Sequence, residues 1–190
     1  MNKKNTTFKL TFSAIMIALS TALSLIKIFK LPWGGSITLL SMLPICMISI
    51  AFGTVYAIAP CILYGVVQMF IDGVLAWGLT PKTLAVSIIF DYILAFGVLC
   101  LAGLFRKKGT KGIYGGIALG TFLRLFCHFI AGKVWFDLYP VDQLVEIAHG
   151  NAYLYSLIYN AAYMLPEIII TLVGAFLIFR MDSIKKLLLA

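Results

Sequence analysis

The sequence predicts an all-α integral membrane protein with six transmembrane helices and both termini in the cytoplasm. The first observation is composition, because 62% of the 190 residues are hydrophobic and the mean hydropathy is +1.04, whereas soluble proteins are about half apolar. The second is length, since several apolar runs contain the roughly 20 residues that cross a hydrocarbon core of about 30 Å. The third is the clustering of the basic residues.

The six helices are predicted from the apolar runs and from the turn-forming residues between them. Glycine and proline interrupt the apolar pattern in "LPWGGS", at Gly53 and in "DGVLAWGLTPK", which favours turns at these places. The longest polar stretch, "DLYPVDQLVEIAHGN", separates the last two helices. Residues 1–190 are therefore interpreted as one membrane domain, with helices over residues 7–29, 37–52, 55–74, 83–105, 113–136 and 152–179.

The basic clusters indicate how the helices are oriented. Ten of the fifteen basic residues lie in the N-terminal tail, in the "RKKGTK" loop and in the C-terminal tail. Cytoplasmic loops carry an excess of Lys and Arg, and six spans bring both tails and this loop to the same side. We therefore expect the loops near residues 30–36, 72–82 and 137–150 outside. Such clustering argues against nucleic-acid binding, which the net charge of +8 would otherwise suggest.

The sequence lacks the motifs of ATP hydrolysis and of covalent catalysis. It contains no Walker A phosphate loop, and no nucleophile stands beside a candidate base. The four cysteines lie in apolar runs without the spacing of metal ligands, so they are interpreted as small buried hydrophobic residues. The chain is expected to be no enzyme and to need no metal or cofactor. If it transports a solute actively, the energy comes from a partner or an ion gradient.

Four ionisable residues within the predicted helices are candidate functional residues, because charged groups are costly in lipid. They are Asp91 in the fourth helix, Arg124 and His128 in the fifth, and Glu167 in the sixth. Asp91 requires a cation, which is either Arg124 or a cationic ligand. Glu167 could pair with Arg124 in the interior.

One face of the fifth predicted helix resembles the wall of a ligand pocket. His128, Gly132 and Trp135 follow one another at intervals of four and three residues in its outer half, so they share a face. The glycine would let a ligand approach the backbone, and the indole offers a flat surface. The alternative is that His128 bonds a neighbouring helix and Trp135 anchors the helix at the membrane interface.

The sixth predicted helix adds phenols and an amide at a similar depth. Tyr155, Tyr159 and Tyr163 recur at intervals of four, either as pocket residues or as interfacial tyrosines. Asn160 carries an amide that needs hydrogen-bond partners. Together with the carboxylate and the imidazole, these groups suit a small, flat, nitrogen-rich cation, to which each aromatic face would add about 0.5–2 kcal/mol.

The chain that carries these residues resembles the thiamine-specific S components of energy-coupling factor (ECF) transporters. The resemblance covers nearly the whole chain and is carried by "GGSITLLSMLPI", "DYILAFGVLCLAGLFR", "HFIAG", "YSLIYN" and "YMLPE". It implies the S-component fold, a place in the plasma membrane of a bacterium, and capture of thiamine from outside. It also implies that a transmembrane coupling subunit and two ATPase subunits supply the energy.

The resemblance implies a set of thiamine-binding residues. Asp91 corresponds to the acidic residue of the family that recognises the aminopyrimidine and the thiazolium. The stacking tryptophan of the family falls at Trp135 or Phe136, and both are retained. A tyrosine expected before the fourth helix has no clear counterpart, and Trp77 could replace it. The other matched residues are Tyr92, His128, Gly132, Tyr155, Asn160 and, in the first outer loop, Trp33.

Small residues recur along the first predicted helix. Ala14, Ala18 and Ala22 lie four positions apart, a spacing that lets another helix pack closely. The neighbour could belong to this chain or to a partner. In the family such a motif meets the coupling subunit, so the resemblance implies Ala14 and Ala18 as partner contacts.

Three alternative functions stay open at this level. An S component for another vitamin, or for a thiamine precursor such as a hydroxymethylpyrimidine, would use the same groups. An intramembrane enzyme would use His128 and Asp91 as acid and base, although no nucleophile accompanies them. An ion-coupled transporter that acts alone would carry a proton on Asp91.

Overall fold

The structure is a computed structural model that describes residues 5–138 and 141–189. We number its helices in chain order. They are α1 (Thr6–Leu25), α2 (Met42–Phe52), α3 (Thr54–Asp72), the composite helix α4 (residues 81–103), α5 (Gly109–Leu138), α6 (Asp142–Ile147), α7 (Ala152–Ile178) and α8 (Asp182–Leu189). An antiparallel hairpin of β1 (Lys27–Lys30) and β2 (Ser36–Thr38) lies between α1 and α2.

The helices have the length and composition of membrane spans. Within the described residues, four helical stretches are long and apolar enough to cross a bilayer: Thr6–Leu25, Thr54–Asp72, Pro81–Phe136 and Ala152–Ile178. The third stretch contains α4 and α5, which pack against each other. Helix α2 has 11 residues, or about 16 Å at 1.5 Å per residue. The prediction of a helical membrane protein is therefore confirmed.

The predicted ends of the first two helices were wrong. Residues 26–29 and 37–41 were expected to be helical, but α1 ends at Leu25 and α2 begins at Met42. Phe29 pairs with Ile37 in the hairpin instead. Hydrophobicity extends through this region, so the apolar pattern alone does not distinguish helix from strand. The short helices α6 and α8 were not predicted, because neither contains an apolar run of membrane length.

Helix α4 changes its geometry along its length. It is α-helical at its start, π-helical over Ser87–Leu94, briefly α-helical again, and 3₁₀-helical over Val98–Gly103. A π-helix closes i→i+5 hydrogen bonds and therefore holds more residues per turn than an α-helix. In a regular α-helix, nine positions make about two and a half turns, which would place Ser87 and Phe96 on opposite faces. Here both line the same cavity.

Glycines allow the helices to pack closely at the end opposite the hairpin. A Cβ atom added at Gly116 of α5 would lie 2.2 Å from the carbonyl oxygen of Ala102, and one at Gly103 would lie 2.2 Å from that of Ser49. Because lipid gives helices no hydrophobic reason to associate, such close contacts are a main source of stability. The contacts between the helices at this end therefore depend on the absence of a side chain at Gly103 and Gly116.

Gly116→Ala tests this packing. The new methyl group meets backbone, so α4 and α5 must separate, and we expect a loss of about 1–3 kcal/mol in the free energy of unfolding. Thermal unfolding in detergent, followed by tryptophan fluorescence, should show a lower midpoint. The matched control is Gly115→Ala, because a Cβ at Gly115 meets only Phe105 at 3.9 Å. Equal midpoints for the two variants would contradict the close packing.

Candidate functional site

A cavity lies where the hairpin and the ends of α1 and α3 meet α4, α5 and α7. Aromatic and polar side chains from these elements line it. Seven of the nine residues predicted to bind ligand line it: Asp91, Tyr92, His128, Gly132, Trp135, Tyr155 and Asn160. Phe136 is not in the wall, and the side chain of Trp33 falls outside what the structure describes.

Asp91, His128 and Arg124 form a chain of polar contacts between α4 and α5. The Nδ1 atom of His128 lies 2.8 Å from Oδ1 of Asp91, and Nε of Arg124 donates to Nε2 of His128 at 3.3 Å. Because Nε2 accepts, a neutral imidazole carries its proton on Nδ1 and donates it to Asp91. Arg124 also lies over the ring of Phe96, 4.1 Å from its centre. Arg124 therefore reaches Asp91 through His128 and not by a direct ion pair.

Glu167 does not pair with Arg124, contrary to the hypothesis from sequence. Its Oε1 atom accepts from the backbone N–H of Thr38 and, at 2.6 Å, from the Thr38 hydroxyl. Within residues 5–138 and 141–189, no ion pair joins Glu167 to Arg124. The hairpin is the reason. Residues 37–41 were predicted to be helical, but Thr38 lies in β2, which brings it to Glu167 of α7.

Asn160 joins α5 to α7. Its Nδ2 atom donates to the carbonyl oxygens of His128 at 3.1 Å and Ser156 at 2.8 Å, and the Tyr163 hydroxyl donates to its Oδ1 at 2.9 Å. The side-chain amide is thus held in one orientation by the helices on both sides. This amide was predicted to need hydrogen-bond partners, and these include His128, Ser156 and Tyr163 of the protein itself.

Gly132 lines the cavity for a different reason from the one expected. The glycine was predicted to give a ligand access to the backbone. A Cβ atom at this position would instead lie 2.3 Å from Oγ of Ser156 and 2.7 Å from Nδ2 of Asn160. The space beside Gly132 is filled by α7, so its small size serves helix packing and the placement of Asn160.

Aromatic rings form much of the remaining wall. The Trp135 indole donates to Oγ of Ser87 at 2.9 Å, and its ring centre lies 6.0 Å from that of Trp77, edge to face. The ring of Phe136 packs 5.0 Å from that of Tyr155. Of the two candidates for a stacking residue, Trp135 is the one in the cavity wall.

Asp72 and Gln68 are two of the polar wall residues that were missed from sequence. Asp72, the last residue of α3, lies 3.3 Å from Nζ of Lys27 and accepts from the Tyr92 hydroxyl at 3.3 Å. Gln68, one turn earlier, donates to Ser24 at 2.9 Å. Asp72 stands beside Gly73 at the edge of an apolar run and was interpreted as part of a loop. Asp72 lies four residues after Gln68 and therefore on the same helical face. This spacing is the signal in the sequence that would have placed Asp72 in the wall.

The hairpin covers the cavity and is tied to the helices at several points. Lys27 of β1 pairs with Asp72, Thr38 of β2 donates to Glu167, and the Tyr159 hydroxyl donates to the carbonyl oxygen of Pro32 in the turn. Gly35 packs so closely that an added Cβ atom would lie 2.9 Å from the Tyr163 ring. These contacts join the cover of the cavity to α3 and α7.

Known proteins share both the sequence and this architecture. The profile of the family described as thiamine transporter protein matches residues 10–187. The chain belongs to this family. It is 31% identical to the thiamine transporter ThiT of Bacillus subtilis over 94% of both chains. It is 28% identical to ThiT of Lacticaseibacillus paracasei over 70% of this chain and 67% of that protein.

A solved structure agrees with the sequence relationship. ThiT from Listeria monocytogenes superposes with a TM-score of 0.73 at 25% identity, over 93% of this chain and 96% of the other. The family resemblance inferred from the sequence motifs is thereby confirmed. With its membrane-length helices, the chain is a multi-pass protein of the bacterial cell membrane.

Tyr159→Phe tests how the hairpin is held over the cavity. Removing the hydroxyl deletes one hydrogen bond to Pro32, so we expect the backbone amides of residues 27–38 to exchange with deuterium about two- to tenfold faster. Hydrogen-exchange mass spectrometry measures this directly. Tyr153→Phe is the matched control, since Tyr153 is exposed on the same helix and its hydroxyl makes no hydrogen bond within the described residues. Unchanged exchange in Tyr159→Phe would show that this contact does not hold the turn.

Proposed function

We propose that this chain is the substrate-binding S component of an ECF transporter and binds thiamine from outside the cell for uptake. The observation that carries the proposal is the carboxylate of Asp91, held by His128 in an aromatic cavity, in a chain of the thiamine transporter family. Thiamine combines a cationic thiazolium with a flat aminopyrimidine. A partly buried carboxylate and aromatic faces are groups that recognise such a cation.

The residues of the wall divide the task of recognition. His128 donates to Oδ1 of Asp91 and so orients the carboxylate. We assign Oδ2 to the cationic part of thiamine. Tyr92, Trp135 and Tyr155 would contact the rings of the ligand, while Asn160 and Gly132 keep α5 and α7 in register beside it. Phe136 supports Tyr155 from behind the wall, and Trp33 belongs to the turn that closes the entrance.

The proposed topology has six spans with both termini in the cytoplasm. Helices α1, α3, α4, α5 and α7 are five of the spans, and the short helix α2 together with the hairpin completes the sixth. The cavity then opens outward beneath the hairpin, and the basic loop around Arg106 faces the cytoplasm. Thiamine would enter when the hairpin moves aside and would be enclosed when it returns.

Uptake requires partners in this proposal, because no bond of thiamine is made or broken and the sequence contains no Walker A motif. The chain would act without catalysis and without a cofactor of its own. A coupling subunit would bind the surface of α1 that contains Ala14 and Ala18, both of which are exposed. Two ATPase subunits would act through that coupling subunit.

Asp91→Asn tests the proposed function. Thiamine is titrated into the purified chain in detergent, with calorimetry or quenching of tryptophan fluorescence as the signal. Removing the negative charge from a hydrogen bond to a cation should cost about 1.5–3 kcal/mol, which is roughly a tenfold to hundredfold loss of affinity. Asp182→Asn is the control, because Asp182 is exposed on α8. The proposal fails if the unmodified chain does not bind thiamine or if Asp91→Asn binds it equally well.

Ala14→Leu and Ala18→Leu test the partner surface. Larger side chains on α1 should prevent close approach of another helix, so the doubly substituted chain should no longer co-purify with the tagged coupling subunit. Its affinity for thiamine should be unchanged, because the cavity is not altered. Ala162→Leu places the same bulk on an exposed position of α7 and should leave the complex intact. An intact complex with both α1 substitutions would exclude this surface.

A further inference from the structure

Glu167 is a buried carboxylate in the cavity wall, and the contacts described above use only one of its oxygens. The residue is 3% exposed and lines the cavity. Oε1 accepts both hydrogen bonds from Thr38. Within the described residues, Oε2 has no hydrogen-bond partner. A buried acceptor that stays unpaired is costly, so such an atom calls for an explanation.

The polar groups around Glu167 are occupied elsewhere. The Ser41 hydroxyl shares a hydrogen bond with Oγ1 of Thr38 at 2.7 Å, and the Tyr163 hydroxyl donates to Asn160. Arg124 donates to His128 and packs on Phe96. Within the described residues, Ser41, Tyr163 and Arg124 therefore do not donate to Oε2.

We propose that Oε2 of Glu167 accepts a hydrogen bond from an N–H or O–H group of the bound ligand, which makes Glu167 a ligand-binding residue in addition to Asp91. This inference rests on the proposed function. Asp91 belongs to α4 and Glu167 to α7, and both helices pack on α5. The cavity would thus require two features of its ligand, a cationic centre for one carboxylate and a hydrogen-bond donor for the other. Thiamine offers two such donors, the amino group of its pyrimidine and its hydroxyl group.

The consequence is selectivity between ligands of equal charge. A cationic compound without the donor would leave Oε2 unpaired after the cavity has closed. Sites that bury a group for hydrogen bonding reject analogues that lack the partner much more strongly than sites that sense only volume. Glu167 would therefore distinguish thiamine from close analogues, whereas Asp91 would attract all of them.

Glu167→Gln is the central variant, because glutamine retains an oxygen for Thr38 and replaces Oε2 with an N–H₂ donor. Thiamine is titrated into the full chain in detergent by calorimetry. We expect affinity at least about tenfold lower than that of the unmodified chain. The control is Glu146→Gln, because Glu146 is the other glutamate of the chain and is exposed on α6. It should bind thiamine with unchanged affinity.

Two analogues separate a ligand contact from a structural effect. In one, hydrogen replaces the amino group of the pyrimidine; in the other, hydrogen replaces the hydroxyl. The penalty of Glu167→Gln should largely disappear for the analogue that lacks the donor and persist for the other. Full affinity for thiamine in Glu167→Gln overturns the inference. An equal penalty for all three ligands also overturns it, because Glu167 would then act only on the shape of the cavity.

The unmodified chain provides an independent measurement if Glu167→Gln does not fold. It should bind thiamine more tightly than one of the two analogues, and equal affinity for all three would contradict a donor-specific contact. Failure of the unmodified chain to bind thiamine rejects the proposed function itself. Tight thiamine binding that Glu167→Gln leaves unchanged rejects only the role of Glu167.

Discussion

The cavity end of this molecule depends on the stabilisation of a carboxylate inside an apolar bundle. An unpaired charge is very costly at such a place, and the chain meets this cost with His128, which contacts Asp91 at 2.8 Å. Arg124 then orients the imidazole from the next turn of α5. Asp91 and Tyr92 of the π-helical segment of α4 both line the cavity, so the polar chain and the aromatic wall meet there.

The second carboxylate follows the same rule with a different partner. Glu167 is stabilised by the hairpin, through the backbone and hydroxyl of Thr38. The cover of the cavity is thereby connected to α7, the helix that also carries Asn160 and Tyr159. A ligand that contacts α7 would therefore change how firmly the hairpin is held. Ligand binding and closure of the hairpin would be coupled through these same contacts.

Much of this arrangement follows from the sequence, and the exceptions have physical reasons. Apolar length predicts the long helices, and the cost of charge in lipid identifies Asp91, His128 and Glu167 as residues of interest. Helical periodicity correctly groups His128 with Trp135. It does not reveal the hairpin, because the apolar residues on either side of the predicted turn fit a helix end as well as a strand. It also cannot show that α7 fills the space beside Gly132 or that Thr38 reaches Glu167, since both depend on contacts between distant segments.

The shortness of α2 has a consequence for how a membrane protein makes room for a polar ligand. Eight of its eleven residues are buried, so neighbouring helices surround it and its ends need not reach the headgroups. Thr38 and Ser41, which immediately precede it, line the cavity. Helix α2 thus closes one end of the cavity, and the longer helices form its sides. The bundle thus gains a polar chamber because one buried helix is shorter than its neighbours.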